Sequence, residues 1–287
     1  MQAKPFLKWA GGKNQLLNKI DKELPVSITR YFEPFLGGGA VLFHILKKYN
    51  PKYVFVSDIN KELINTYNVL KNNPNELIKE LEKHKIKHSK EHYYITRGLE
   101  SRITKQLGLS LRDSSKIYYE TDIKRAAKFI YLNKTCFNGL YRVNKNNKFN
   151  VPMGRYKDPQ IYNKSNLLEI SKLLKNTIIK AISYEKILNY VKKDDFIYLD
   201  PPYDQLNNNS FTTYTKYDFT RKDQVKLKEF YDILHKKGCK ILESNSSTEA
   251  IQKLYKKYKI IQINAKRMIN CDGKKRGNIK EVLIKNY

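Results

Sequence analysis

The sequence predicts an α/β protein, a mostly parallel sheet whose order is interrupted by a long helical insertion. Three observations carry this. Arg30 to Asn60 reads as strand, glycine turn, helix and strand; a second strand signal, Phe196 to Leu199, comes late and is followed by another helix and strand; and about a hundred helical, polar residues separate the two. Strands that alternate with helices build parallel sheets, with ligands at the carboxyl ends of the strands.

The elements follow in order. Tyr31 to Phe35 and Tyr53 to Asp58 are short apolar strand runs, and between them Gly37-Gly38-Gly39 breaks the chain before a helical pattern from Val41 to Lys48. Leu63 to Lys157 has helical periodicity and no parallel-strand signal. Within it His84, His88 and His92 recur every four residues and are expected on one face of a helix, solvated or facing a polyanion among Lys83, Lys85, Lys87 and Lys90 rather than holding a metal. Phe196-Ile197-Tyr198-Leu199 is a buried-strand run ending at Asp200; a helix follows over Arg221 to Lys237, then a strand at Lys240 to Ser244. Tyr258 to Ala265 and Glu281 to Asn286 are expected to pair as an antiparallel hairpin at one sheet edge.

Composition bounds the class. The 287 residues suit one large domain or two smaller ones at roughly 100–200 residues each, and 40% hydrophobic content suffices for a core. Cys136, Cys239 and Cys271 stand far apart, against a disulfide framework or a zinc site, and Cys136 is expected to be a small buried residue. No stretch approaches the ~18 apolar residues of a membrane span, and Pro and Gly interrupt the first thirteen residues where a leader needs an apolar core. These features predict a cytoplasmic, monomeric protein with no membrane partner. Lys and Arg number 56 against 28 acids, a net charge of +28, which attracts polyanions; abundant Lys, Asn and Ile also suit an AT-rich genome. Local pattern favours nucleic acid: from Lys134 to Lys157 six bases and no acid interleave with Phe137, Tyr141, Phe149 and Tyr156, as on a surface that contacts phosphates and stacks on bases.

Two turns carry chemistry. Gly37 and Gly39 end a strand, and Asp58, 19 residues beyond Gly39, ends the next; glycine admits a ligand to the backbone and the acid accepts from ribose hydroxyls. Leu42 stands where a dinucleotide fingerprint needs a third small residue, so a nucleoside without pyrophosphate fits better. Gly11-Gly12-Lys13-Asn14 is no phosphate loop, because Leu7 replaces its first Gly and Asn14 its Ser or Thr. Asp200-Pro201-Pro202-Tyr203 is a rigid, acceptor-rich turn after a strand. Its carboxylate and a carbonyl suit both hydrogens of an exocyclic amine, and Tyr203 can stack on the base that carries it.

These residues together resemble the Dam-type (DpnII-like) DNA adenine-N6 methyltransferases of the alpha group, in which the cofactor motifs precede DPPY with the recognition domain between. The resemblance runs through Phe6 to Lys13, Glu33 to Gly39, Asp58-Ile59-Asn60, Phe137 to Arg142, Phe149 to Pro152, Gly154-Arg155-Tyr156, Asp200 to Tyr203, Phe211 to Tyr214, Phe219-Thr220, and Arg267, Asn270, Arg276 and Glu281. Lys105 to Tyr119 finds no match in the family pattern. The resemblance implies a Rossmann-like S-adenosylmethionine-dependent methyltransferase sheet from residues 1–62 and 158–287, with an inserted helical target-recognition domain, 63–157, that carries a β-hairpin.

It further implies that S-adenosyl-L-methionine binds among Trp9, Lys13, Phe35, Gly37, Gly39, Asp58, Ser183, Tyr184 and Asp200, and that Asp200, Pro201, Pro202 and Tyr203 receive a flipped adenine. Double-stranded DNA, with GATC as its site, is the implied substrate. Arg142 and Lys8 are expected at guanines, Leu140 and Pro152 at apolar base groups, Phe137 beside the flipped base and Tyr156 at a base edge. Asn138, Asn144 and Asn270 join the interface, and Lys134, Lys145, Lys148, Arg155, Lys274 and Lys275 contact phosphates. A cognate restriction endonuclease is the implied partner in the same system, and no metal is expected.

Overall fold

A computed structural model describes residues 3–98, 115–146, 148–203, 219–266 and 278–287. Among the described residues the strands are β1 (Arg30–Glu33), β2 (Tyr53–Ser57), β3 (Thr177–Lys180), β4 (Phe196–Leu199), β5 (Lys240–Ser246), β6 (Lys259–Lys266) and β7 (Asn278–Lys285). They form one sheet in the order β3-β2-β1-β4-β5-β7-β6. The first five in that order run parallel, while β7 lies antiparallel between β5 and β6. The expected terminal hairpin is present, with β6 outermost. Strand order reverses between β1 and β4, and in such sheets a crevice opens there, outside the carboxyl ends.

The described helices are α1 (Leu17–Glu23), α2 (Ala40–Tyr49), α3 (Lys61–Asn72), α4 (Pro74–Ile86), α5 (Lys90–Gly98), α6 (Ser115–Thr135), α7 (Lys164–Leu174), α8 (Arg221–Lys236) and α9 (Glu249–Leu254). None is long and apolar enough to cross a membrane. The chain divides into two compact units, one from the described residues of Met1–Ala10 and Asn60–Lys175, the other from those of Gly11–Ile59, Asn176–Thr213 and Tyr217–Tyr287.

The sheet belongs to the second unit. β4 is buried at all four residues, as an apolar run flanked by strands on both sides must be. Thr220 and Asp223 close a capping box at the start of α8, whose Leu227, Phe230, Tyr231 and Leu234 repeat at helical spacing. That stripe packs with Phe32, Phe55, Ile197, Leu199, Ile241 and Ile284 in one core. β3, absent from the sequence reading, is a four-residue edge strand of mixed burial, Thr-Ile-Ile-Lys, too short to show a period.

In the first unit α3 and α4 pack on α6. Leu63, Tyr67, Leu70, Leu77 and Leu81 are buried on one side, Ala126, Ala127, Ile130 and Tyr131 on the other. The histidines correct the sequence reading: the helix breaks between Ile86 and Lys90, so they share no helical face. Instead they surround Tyr131. His84 stacks on its ring with centroids 4.7 Å apart, the His88 Nδ1 lies 3.0 Å from its hydroxyl, and the His92 Nε2 lies 2.9 Å from the His84 Nδ1. All three are half-buried.

Candidate active site

The turns that leave β1 and β2 meet at their carboxyl ends. The Leu36 N–H donates to the Ser57 carbonyl at 3.0 Å, and the Gly37 N–H to Asp58 Oδ2 at 3.2 Å. Gly37 and Gly39 have φ of +47° and +70°, left-handed values that cost a Cβ-bearing residue, and Gly39 leads directly into α2. Phe35 stacks on Tyr184 with centroids 5.2 Å apart and receives the edge of Phe219. Ser183 precedes the 3₁₀ turn Tyr184–Asn189. An amide at a positive-φ glycine, a carboxylate and an aromatic pair thus line one strand-end region.

β4 delivers Asp200 beside that region. Lys13, on a 3₁₀ turn and only 4% exposed, places its Nζ 2.7 Å from Asp200 Oδ1 and 2.7 Å from the Gly11 carbonyl. Burial pushes the Asp200 carboxyl up to about 6, with the Lys13 ammonium pulling the other way. Glu33, the last residue of β1, is buried and accepts from the Tyr31 hydroxyl at 2.8 Å; burial first, and the Asp200 charge after it, drive its pKa well above the carboxylate range. Burial therefore raises both acids, Asp200 to about 6 and Glu33 in the same direction.

The Pro-Pro turn is held at its far end. The Tyr203 hydroxyl donates to Glu281 Oε2 at 2.6 Å, and Lys13 Nζ lies 4.8 Å from the Tyr203 ring centroid. Gln224 Nε2 donates to the Pro202 carbonyl at 2.9 Å. One acceptor of the acceptor-rich turn is thus already engaged by a side-chain amide. Gln224 and Asn245 have no place among the sequence-predicted site residues, and Glu33 enters there only as part of a motif; the signal available for Asn245 was the polar run Glu243 to Ser246, buried at the end of β5.

The first unit carries the basic aromatic segment. Asn133, buried on α6, accepts from the Lys8 N–H at 2.8 Å and donates to the Lys8 carbonyl at 2.7 Å, so one side chain grips the N-terminal segment from both sides. Lys8 Nζ lies 4.1 Å from the Tyr156 ring centroid. Trp9 is half-buried in this unit, stacked on Tyr141 and Phe129. Antiparallel bridges pair Cys136 with Met153 and Val143 with Phe149, and the Asn144 side chain accepts from the Asn146 and Lys148 amides at the tip. Cys136 is buried as expected, its thiol pushed up to about 12.

Phe137, Arg142, Asn144, Lys145, Lys148, Pro152 and Arg155 are exposed on this segment, while Asn138 and Leu140 are half-buried. Arg142 Nε donates to Asn150 Oδ1 at 2.8 Å. Lys134 differs: burial, then the neighbouring Lys8, lowers its ammonium to about 8. Asn270, Lys274 and Lys275 lie outside the described residues, as do Arg267, Arg276 and Phe211 to Tyr214. No metal-binding cluster of His, Cys, Asp or Glu occurs among the described residues.

Over residues 9–269 the chain matches the family described as D12 class N6 adenine-specific DNA methyltransferase. The chain belongs to this family. It is 48% identical, over all of both chains, to the type II methyltransferase M.MjaIII of Methanocaldococcus jannaschii. It is 40% identical to the type II methyltransferase M1.LlaDCHI of Lactococcus lactis subsp. cremoris, covering 99% of this chain and 95% of that protein. A DNA adenine methylase of Vibrio cholerae is 33% identical over 97% of this chain and 94% of its own length. As a family member the chain is an enzyme, an adenine-specific DNA methyltransferase on a Rossmann-like sheet.

Proposed function

We propose that the enzyme transfers a methyl group from S-adenosyl-L-methionine to N6 of an adenine flipped out of duplex DNA, within GATC, and that it is a Dam-type, DpnII-like member of the alpha group. One observation carries the chemistry: Asp200 leaves β4 at the switch point with its carboxylate on a buried lysine and its pKa set near neutrality. The residues present fit the cofactor. Gly37 and Gly39 open the backbone, Asp58 and Asp200 suit ribose hydroxyls and a sulfonium charge, and the Phe35–Tyr184 stack beside Ser183 suits an adenine edge. Trp9 and Lys13 complete the proposed set. Bound there, the cofactor supplies an electrophilic methyl on cationic sulfur.

The protein's own part is to aim an amine. Adenine N6 is a weak nucleophile because its lone pair is delocalised into the ring, and extrusion of the base is what lets protein groups reach it. Asp200 and the Pro201 carbonyl accept its two hydrogens, which favours a more tetrahedral nitrogen, while Pro202 and Tyr203 hold the base. Attack in line with the leaving sulfur needs position and fixed charge, with no covalent enzyme intermediate. The surplus proton on N6 leaves to Asp200 or water.

Recognition belongs, in this reading, to the insertion 63–157 with the N-terminal Lys8. Arg142 offers its two Nη groups to guanine O6 and N7 while Asn150 occupies Nε. Exposed Phe137 and Pro152 and half-buried Leu140 and Tyr156 read or wedge the bases, and Lys134, Lys145, Lys148, Arg155, Lys274 and Lys275 neutralise phosphates, joined by Asn138, Asn144 and Asn270. The enzyme acts as a cytoplasmic monomer. Its relatives' type II names support a cognate restriction endonuclease beside it in the genome.

The test is transfer from labelled S-adenosylmethionine to unmethylated duplex DNA, with every modified position mapped. Label on adenine N6 confined to GATC is expected. Modified adenines elsewhere overturn the recognition assignment, and no label in a sample that binds cofactor and DNA overturns the activity.

A further inference from the structure

The carboxyl end of β5 buries a row of polar side chains behind the Pro-Pro turn. Glu243 and Asn245 are fully buried on β5, two residues apart and thus on one face, and Gln224, 3% exposed, stands in the first turns of α8. Asn245 Nδ2 donates to Glu243 Oε1 at 2.9 Å and to Gln224 Oε1 at 3.1 Å, and Gln224 Nε2 donates onward to the Pro202 carbonyl at 2.9 Å. Burying two amides and a carboxyl is costly unless every link is made.

This chain has one orientation only. The Ser246 backbone N–H, which cannot turn round, donates to Asn245 Oδ1 at 2.8 Å. That fixes the Asn245 amide and aims its Nδ2 at the other two side chains. Gln224 must then present Oε1 to Asn245 and Nε2 to Pro202, since a flipped amide would set oxygen against oxygen and NH₂ against NH₂. Glu243 closes the row as an acceptor in either protonation state. Its partner strand continues the point: Leu199, one residue before Asp200, pairs in register with Glu243. The same sheet position that launches the catalytic turn therefore also anchors the row that grips it.

We propose that Gln224, oriented by Asn245 and Glu243, is a positioning residue for methyl transfer: it pins the Pro202 carbonyl and so fixes the aim of Asp200 and Tyr203 on either side. This rests on the proposed role of the Asp200–Tyr203 turn. Gln224 touches neither the reacting nitrogen nor the methyl group. Its loss shows in the rate of the bound complex more than in binding.

The full-length enzyme with Gln224→Leu, which keeps the side chain's bulk and removes its donor, is compared with wild type in single-turnover methyl transfer at saturating DNA and S-adenosylmethionine. A rate lowered tenfold or more, with KM for DNA and Kd for S-adenosylmethionine within threefold, is expected. Asn245→Asp, which removes the donor that orients Gln224, should give the same split, and the double variant should be no slower than the slower single one. A rate per cofactor-binding site within twofold of wild type in the variants that fold overturns the proposal, even where their Tm falls. If Gln224→Leu does not fold, Asn245→Asp decides by the same criterion. Asp200→Ala serves as the control: near-normal turnover in that variant removes the turn from the mechanism and the proposal with it, whereas a dead control beside an unimpaired Gln224→Leu removes Gln224 alone.

Discussion

Lys13 Nζ lies 2.7 Å from Oδ1 of Asp200, and the lysine is the more buried of the two. The pair therefore sets the charge of the acceptor at the centre of the proposed reaction. Burial raises the Asp200 carboxyl to about 6 and Lys13 restrains the rise. Turnover that needs the carboxylate should increase with pH, one proton per site, through about 6 and level off above it. Lys13→Met removes the restraint but not the burial, so the acid limb should move to higher pH. A pH-rate profile of kcat/KM on both proteins checks this, and an unmoved limb would separate Lys13 from the ionisation of Asp200.

Base reading and phosphate contact should part company on the basic aromatic segment. Arg142→Ala removes a two-pronged donor and should cost about 1–3 kcal/mol of discrimination at one base pair. Lys145→Ala should weaken binding on every sequence alike and lower the slope of log K against log salt by about one. Binding titrations on cognate and single-substituted duplexes at several salt concentrations measure both. Unchanged site preference in the first variant, or an unchanged slope in the second, moves that residue off the DNA.

Much of this was legible in the sequence because it is local. The run Phe196 to Leu199 is apolar throughout since β4 is buried on both faces, and the Asp200-Pro201-Pro202-Tyr203 turn announces its own stiffness. What the sequence withheld depends on long-range register. Nothing near Glu281 says that it accepts from Tyr203, 78 residues away, and nothing near Asn133 says that it grips Lys8, 125 residues away. The histidines misled for the opposite reason. Their spacing of four is helical, but a break near Lys87 turns a face into a cluster.

Gly139 shows how closely that N-terminal segment is packed. Its φ of +64° is left-handed, and a Cβ built there would run into the Lys8 side chain. Gly139→Ala should cost about 1–2 kcal/mol from backbone conformation alone, before any displacement of Lys8. Thermal unfolding gives the stability, and binding to cognate duplex shows whether Lys8 has moved; a variant as stable as wild type would mean that the turn relaxes freely.

The cluster around Tyr131 should make the fold sensitive to acid. Burial lowers His84 to about 4, with the adjacent His92 and then Lys87 and Lys128 acting the same way and Glu80 against it. His88 and His92 are lowered as well, again by burial first. The unfolded chain binds these protons near 6.5 and the folded chain only at lower pH. Stability from His84 is therefore complete above about 6.5, is lost as pH falls, and loses no more below about 4. His84→Phe keeps an aromatic face on Tyr131 and removes the titration. Denaturant midpoints between pH 7 and 4 should then fall less steeply, by up to about 1.4 kcal/mol per pH unit, the equivalent of one proton. Equal slopes in the two proteins would mean that His84 takes up its proton in the folded state as readily as in the unfolded one, and that its contact with His92 yields to charge at little cost.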